Sequence, residues 1–221
     1  MSLIDLTPDE LLSTTRAVRK RLDFDKSVDM GLIKECLGLA LQAPSGSNAQ
    51  GWHFVVVSDE AKKRQIAHWY QKAFEVYRNS PAAPDKQHTE SPKMQQTQER
   101  VLDSAAYLAQ HIQDVPVLLF ACVPGRLDNA EVATNVTFQA STYGSIIPAV
   151  WSFMLAGRAR CLGSCLTTMH LIHEREIAEI LNIPYEEVTQ VAMIPVAHTK
   201  GTNFQPAPRK PLETVLHVDT W

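Results

Sequence analysis

The sequence predicts an α+β protein with a single central sheet and helices around it. Three observations carry that. Long segments repeat their apolar residues at helical spacing, while the strands read as short, continuous apolar runs. The two kinds of segment are interleaved along the chain, with no internal repeat and no linker-like stretch that would split it. And 221 residues, 45% hydrophobic and 20% charged, suit one large domain over 1–221 better than two small ones.

Taken in order, Thr7-Pro8-Asp9-Glu10 combines an N-cap threonine, proline at the first helical position and glutamate at the third, a capping box opening a short helix. Four positive charges follow within Arg16 to Arg21. A second helix is predicted over 29–43, with Leu32, Ile33, Cys36, Leu37 and Ala40 at helical spacing; it stops at Pro44-Ser45-Gly46-Ser47-Asn48, a run of turn-formers. The run 53–57 reads as a buried strand, and Ser58 as the cap of a helix to about 78. Residues 79–98 carry three prolines and few apolar anchors and read as a mobile excursion. A helix over 99–112 returns the chain to a strand at 115–123. The longest apolar helical pattern spans 134–159, with a kink or break expected at Pro148. An extended piece at 166–169, a helix at 174–182 and a strand at 191–196 complete the body. The tail, 201–221, has Pro206, Pro208 and Pro211 yet carries Leu212, Val215, Leu216, Val218 and Trp221, an extended arm in need of a surface to cover.

A net charge of −3 offers no global field for nucleic acid or anionic lipid. No run approaches the roughly 18 apolar residues of a membrane span. The first twelve residues lack a basic and then apolar leader, so a cytoplasmic location is expected. The four cysteines, Cys36, Cys122, Cys161 and Cys165, read as reduced thiols, and no His/Cys set completes a metal site.

Three places could carry chemistry. Arg16 and Arg19, three apart, would share one side of a helical turn and clamp a phosphate; the same pair also fits a solvated helix end. Pro44 to Gln50 lets a ligand approach the backbone and offers donors and acceptors to a heterocycle edge, though an ordinary connection has similar residues. Arg209-Lys210 in the tail is a solubilising pair or a third phosphate contact. The chain has no GxGxxG after its first strand, no GxxxxGK[ST], no GxSxG and no HExxH. Phosphate-grade arginines without an acid–base or nucleophile constellation fit chemistry carried by a cofactor.

Read together, Thr15-Arg16-Ala17-Val18-Arg19, the stretch Ala43 to Val57, Arg160-Cys161-Leu162-Gly163-Ser164 and Arg209-Lys210-Pro211 resemble the nitroreductase family in order and spacing across nearly the whole chain. The most specific piece is Pro-Ser-x-x-Asn-x-Gln feeding Trp-x-Phe-Val-Val-Val. The resemblance implies a nitroreductase-like fold with a central mixed sheet and a homodimer exchanging its C-terminal arms, with FMN at the interface. Arg16, Ala17, Arg19 and Arg209 would surround the FMN phosphate. Pro44, Ser45, Gly46, Ser47, Asn48 and Gln50 would line the flavin and its ribityl chain. Leu166, Thr167 and Thr168, leading to Met169, would place a backbone N–H near flavin N5 from the facing subunit. It further implies hydride uptake from NAD(P)H and ping-pong reduction of a nitroaromatic, quinone or related acceptor, with no catalytic side chain. Relatives that dehalogenate aromatics or fragment flavin are an alternative, as is a non-catalytic FMN-binding protein. The chain departs from the family in having Ala17 where a serine is usual, and Gly51 where the loop often has proline. Residues 79–98 are the expected lid, whose removal should change acceptor preference and leave flavin bound.

Overall fold

The computed structural model of the chain describes residues 3–87 and 91–221. Helix α1 (Pro8–Thr14) opens on the capping box read in the sequence: Thr7 Oγ1 accepts from the Glu10 amide at 3.2 Å, and the Glu10 carboxylate accepts from the Thr7 amide at 2.8 Å. The helix stops at Thr15, so Arg16 and Arg19 do not share a helical turn as their spacing suggested. The chain instead runs extended, because the Val18 amide finds the Ser164 carbonyl at the sheet edge (2.8 Å) and buries Val18 there. It then forms strand β1 (Leu22–Asp23).

Asp29 caps α2 (Met30–Ala40), which buries Leu32, Ile33, Cys36 and Ala40 as their spacing predicts. Strand β2 (His53–Val57) leads to α3 (Glu60–Asn79), capped by Asp59 rather than Ser58, with Oδ1 accepting from the Lys62 amide at 2.8 Å. The expectation of a mobile excursion over 79–98 is corrected in its second half. Ser91 caps and Pro92 opens α4 (Pro92–Gln110), so helix begins well before residue 99. The first half is a turn around Pro84–Lys86, and 88–90 lie outside the described residues.

Strand β3 (Val117–Pro124) is followed by the short α5 (Ala130–Ala133) and by α6 (Val136–Ala159). The helix runs through Pro148 without the expected break. Proline inside a helix costs ~3 kcal/mol, but Ile146, Ala149, Val150, Phe153 and Met154 are all buried around it, and that burial outweighs one lost ladder bond. Strand β4 (Leu162–Ser164), α7 (Glu174–Leu181) and β5 (Val188–Thr199) complete the body.

β5 is the axis of the sheet. It pairs antiparallel with β3 from Val117↔Val196 to Pro124↔Val188, and β3 pairs antiparallel with β2. β4 takes the opposite edge of β5, since Val196 faces both Val117 and Ser164, and β1 succeeds β3 at the far end. The mixed character expected of the sheet rests on a parallel bridge, Gly125↔Val188; the ladders themselves are antiparallel.

Alternation along β3 shows that both faces are covered. Leu119, Ala121 and Val123 point into a core shared with α2 and α6. Leu118, Phe120 and Cys122 point into a second core built by α3, α4 and α7. The cysteines are free thiols, three of them buried. Beyond β5, Phe204 anchors the tail under two guanidiniums, those of Arg21 at 4.1 Å and Arg158 at 4.9 Å. From Pro208 onward every residue is exposed, and the Trp221 ring stacks on His217. Val136, Phe138, Tyr143 and Trp151 of α6 are exposed as well.

Candidate functional site

The basic stretch between α1 and β1 faces α4 and the first residues beyond β5. Arg16, Arg19, Lys20 and Arg21, with Arg100 of α4, give five basic side chains to one open cavity of about 530 Å3. None of its lining residues is acidic. Ala17, Thr97, Ser104 and Phe204 also line it. Arg16 Nη1 donates to the Gln205 carbonyl at 3.0 Å, and Arg19 Nη1 to Ser104 Oγ at 3.4 Å. Each of these two guanidiniums therefore keeps most of its N–H donors for an anion. Lys20 is paired with Asp103 at the rim, and Arg21 is tied to the carbonyls of Lys200 and Asn203. Arg209 stands outside the lining: Pro208 is part of the wall, while the exposed Arg209 donates to the Pro208 carbonyl.

Arg19 and Val101 also line a neighbouring chamber of about 400 Å3. Its walls are Tyr70, Phe74 and Tyr77 of α3, Pro84, Ala105 of α4, and the segment Cys165 to Met169. This segment leaves β4 and is drawn to β5 by a double bridge, Thr167 N–H to Met193 O and Met193 N–H to Thr167 O, both 2.9 Å. Thr167 Oγ1 accepts from the Met169 amide at 3.3 Å and meets the Tyr70 hydroxyl at 3.1 Å. Thr168, next along, is exposed, and among the described residues its amide has no acceptor. Burial pushes the Tyr70 phenol up to about 12 and the Cys165 thiol above its usual range, so both are neutral at physiological pH. His170, just behind this segment, is fully buried against Phe120 with neither ring nitrogen bonded, and desolvation lowers it to about 3.

The Pro44–Gln50 loop is held by its own polar groups. The Gln50 amide donates to Ser45 Oγ at 3.1 Å, Gln50 Nε2 to Asn48 Oδ1 at 3.0 Å, and the Gly46 amide to Ser145 Oγ on α6 at 2.9 Å. Ser47, Asn48 and Gln50 all adopt left-handed φ, between 50° and 53°. Such residues cost on the order of 1–3 kcal/mol each and cluster at ligand clamps. A Cβ on Gly46 would meet Ser141 Oγ and force that side chain to turn, so glycine lets the loop sit directly on α6. Ser45, Gly46, Ser47 and Gln50 line a third cavity of about 360 Å3 with Trp52, Phe138 and three hydroxyls of α6; Pro44 and Asn48 are not among its walls.

The structure thus joins the basic cluster to the 165–169 segment through Arg19, and leaves the serine-rich loop in a cavity that shares no lining residue with either. Sequence reasoning missed Arg100, Ser104 and Tyr70. Thr97, Arg100 and Ser104 fall on one side of α4 at helical spacing, a signal that could have found two of them. A larger groove near Phe24 holds none of the residues singled out by sequence, and mixes Asp25, Glu60 and Asp114 with Lys63 and Arg64. Among the described residues no group of three or more His, Cys, Asp or Glu is placed to hold a metal ion, and no helix is long and apolar enough to cross a membrane.

Comparison with known proteins gives a match to the family model described as the nitroreductase family over residues 12–198. Over 73 residues the chain is 38% identical to a nitrobenzene nitroreductase of Ectopseudomonas oleovorans; the match covers 33% of this chain and 30% of that relative. Among solved structures, an FMN- and NADPH-dependent nitroreductase derived from sphigopyxis sp. strain HMH superposes with a TM-score of 0.70 at 20% identity, covering 98% of this chain and 100% of the other. Oxidized iodotyrosine deiodinase bound to FMN and 3-iodo-L-tyrosine gives 0.67 at 22% identity, covering 96% and 98%. A BluB-like flavoprotein from Clostridium difficile gives 0.69 at 19% identity, covering 97% and 100%. At these identities the superpositions establish the shared fold.

Proposed function

The chain belongs to the nitroreductase family, and on that premise we propose that it is an FMN-dependent oxidoreductase that takes hydride from NAD(P)H and reduces a small nitroaromatic, quinone or related acceptor. The observation that carries this reading is the union, through Arg19, of an acid-free basic cavity with a chamber that ends on the Thr168 amide. A flavin mononucleotide needs both at once: cations for its phosphate and a largely apolar space with a backbone donor for its ring. Arg16, Arg19 and Arg100 hold the phosphate, and Arg209 reaches it only if the tail moves in. Leu166, Thr167 and Thr168 stand at the ring edge, Thr168 offering its N–H.

FMN, when bound, supplies hydride acceptance and hydride return; the protein orients the partners and tunes the charge around them. Arg19, standing at the seam of the two cavities, sets a fixed positive charge beside the ring as well as the phosphate. The serine-rich loop, with its left-handed backbone and Gly46 pressed on α6, serves the flavin of a second copy. The exposed apolar side chains of α6 and of the tail support that reading, since a homodimer with exchanged arms would cover both. The 79–98 lid stays part of the proposal in a narrower form. Pro84 lines the chamber, but Thr97 lines the basic cavity, so excision of the whole stretch would also cost flavin.

Purified protein reconstituted with FMN and mixed with NADH or NADPH and a quinone or nitroaromatic tests the reading. Yellow protein that turns over both substrates supports it. Yellow protein inert to both donors makes it a binding module, and protein that takes up no FMN overturns the reading.

A further inference from the structure

We propose that Tyr70 is a positioning residue for the flavin site: through its bond to Thr167 it fixes the direction in which the Thr168 amide faces the ring. The inference rests on the reading that residues 166–168 stand at the flavin edge.

The peptide plane between Thr167 and Thr168 is where direction is set. Its carbonyl accepts from the Met193 amide on β5 at 2.9 Å. In a planar trans peptide the N–H points opposite to the C=O, so the Thr168 amide is turned away from the sheet and toward the chamber. The bridge holds the carbonyl edge of that plane, while its Thr168 edge has no backbone partner among the described residues. What restrains it is the Thr167 side chain, held on one side by the Met169 amide and on the other by the Tyr70 hydroxyl. Thr168 itself sits at φ −114° and ψ 4°, in the sparsely populated bridge region where active-site residues recur.

Packing alone gives no reason for the hydroxyl. Tyr70 is 3% exposed in the core with Ile66, Ala67 and Phe74, where phenylalanine would fill the same space without a polar group to satisfy. The Thr167 hydroxyl is the partner that the structure provides, across 97 residues of sequence. A buried phenol whose one hydrogen bond among the described residues goes to the residue before an unpaired amide has the form of a support placed behind a contact residue.

Two near-isosteric variants, Tyr70→Phe and Thr167→Val, remove the bond, and Thr167→Ser keeps the hydroxyl that makes it. Each is loaded with FMN and compared with wild type in thermal midpoint, FMN Kd, visible spectrum, flavin midpoint potential, and kcat and KM for NADH or NADPH. The expected result is a folded, flavin-loaded protein with Kd within about twofold, a displaced flavin absorption band and potential, and kcat lowered on the order of tenfold at constant KM. Thr167→Ser, which keeps the hydroxyl, should regain the flavin band and potential that Thr167→Val loses, and the double variant should be no worse than either single one. Yellow Tyr70→Phe protein whose spectrum, potential and kcat match wild type overturns this proposal alone. Wild-type protein that binds no FMN overturns the cofactor reading and this inference with it.

Discussion

The basic cavity and the Ser45–Gln50 loop are built on opposite principles. In the cavity, five cations face a common space with no acid in its wall, and Arg16 and Arg19 are held by the Gln205 carbonyl and the Ser104 hydroxyl. In the loop, the Gly46 and Gln50 amides and the Gln50–Asn48 side-chain pair brace the turn against itself and α6, and the backbone is distinctive, with three left-handed residues in a row of four. Charge tolerates imprecise geometry and attracts a phosphate from a distance; shape receives only what fits. One chain can assemble the first alone. The second stands apart from it, and in the proposed dimer serves the other copy.

The largest effect that would break this contrast comes from Arg19→Ala. Losing a charge-assisted bond at the seam should cost about 1.5–3 kcal/mol, or roughly 10–100-fold in FMN Kd, read by flavin fluorescence. An unchanged Kd would remove the cavity from the phosphate role. A second effect of similar size belongs to neither region and provides the baseline. His170, buried and held neutral down to about pH 3, lets the unfolded chain take up a proton first as pH falls through 6.5. Stability should drop by about 2 kcal/mol between pH 7 and pH 5, flattening again below pH 3. His170→Leu should lose that slope in urea titrations, while a slope equal to wild type would assign it elsewhere.

Next in size is Gly46→Val, which puts a side chain onto Ser141. If the loop acts by shape, FMN affinity should fall about tenfold with little change when salt is raised. A loss that salt enlarges would mean the loop works by charge after all. Smallest is Arg100→Ala. An exposed cation at the cavity rim should be worth about 0.2–1 kcal/mol, a few-fold in Kd, and the difference should vanish at high salt. An effect as large as that of Arg19 would place the phosphate against α4.

Much of this architecture is legible from sequence where one element suffices to determine itself. β2, β3 and β5 are continuous apolar runs, and the capping box at Thr7 specifies its helix locally. β1 and β4, two and three residues long, exist because β5 pairs with them, and no local pattern announces them. The start of α4 was hidden by its polar composition, although Ser91-Pro92 is a cap and an N1 proline. Arg16 and Arg19 line one cavity, but not from the helical turn that their spacing suggests. Their convergence comes from an extended chain pinned to Ser164. Arg100 and Ser104 share a side of α4 with Thr97 at helical spacing, whereas Tyr70 was out of reach because 97 residues separate it from its partner Thr167. Tertiary pairing of that range is invisible to periodicity.

The central claim, that this chain is a flavin enzyme, is tested most directly by one absorbance experiment under anaerobic conditions. The chain, purified and supplied with FMN, should retain one flavin per chain after desalting, and its yellow colour should bleach on addition of NADH or NADPH. Protein that emerges from desalting colourless would contradict the account.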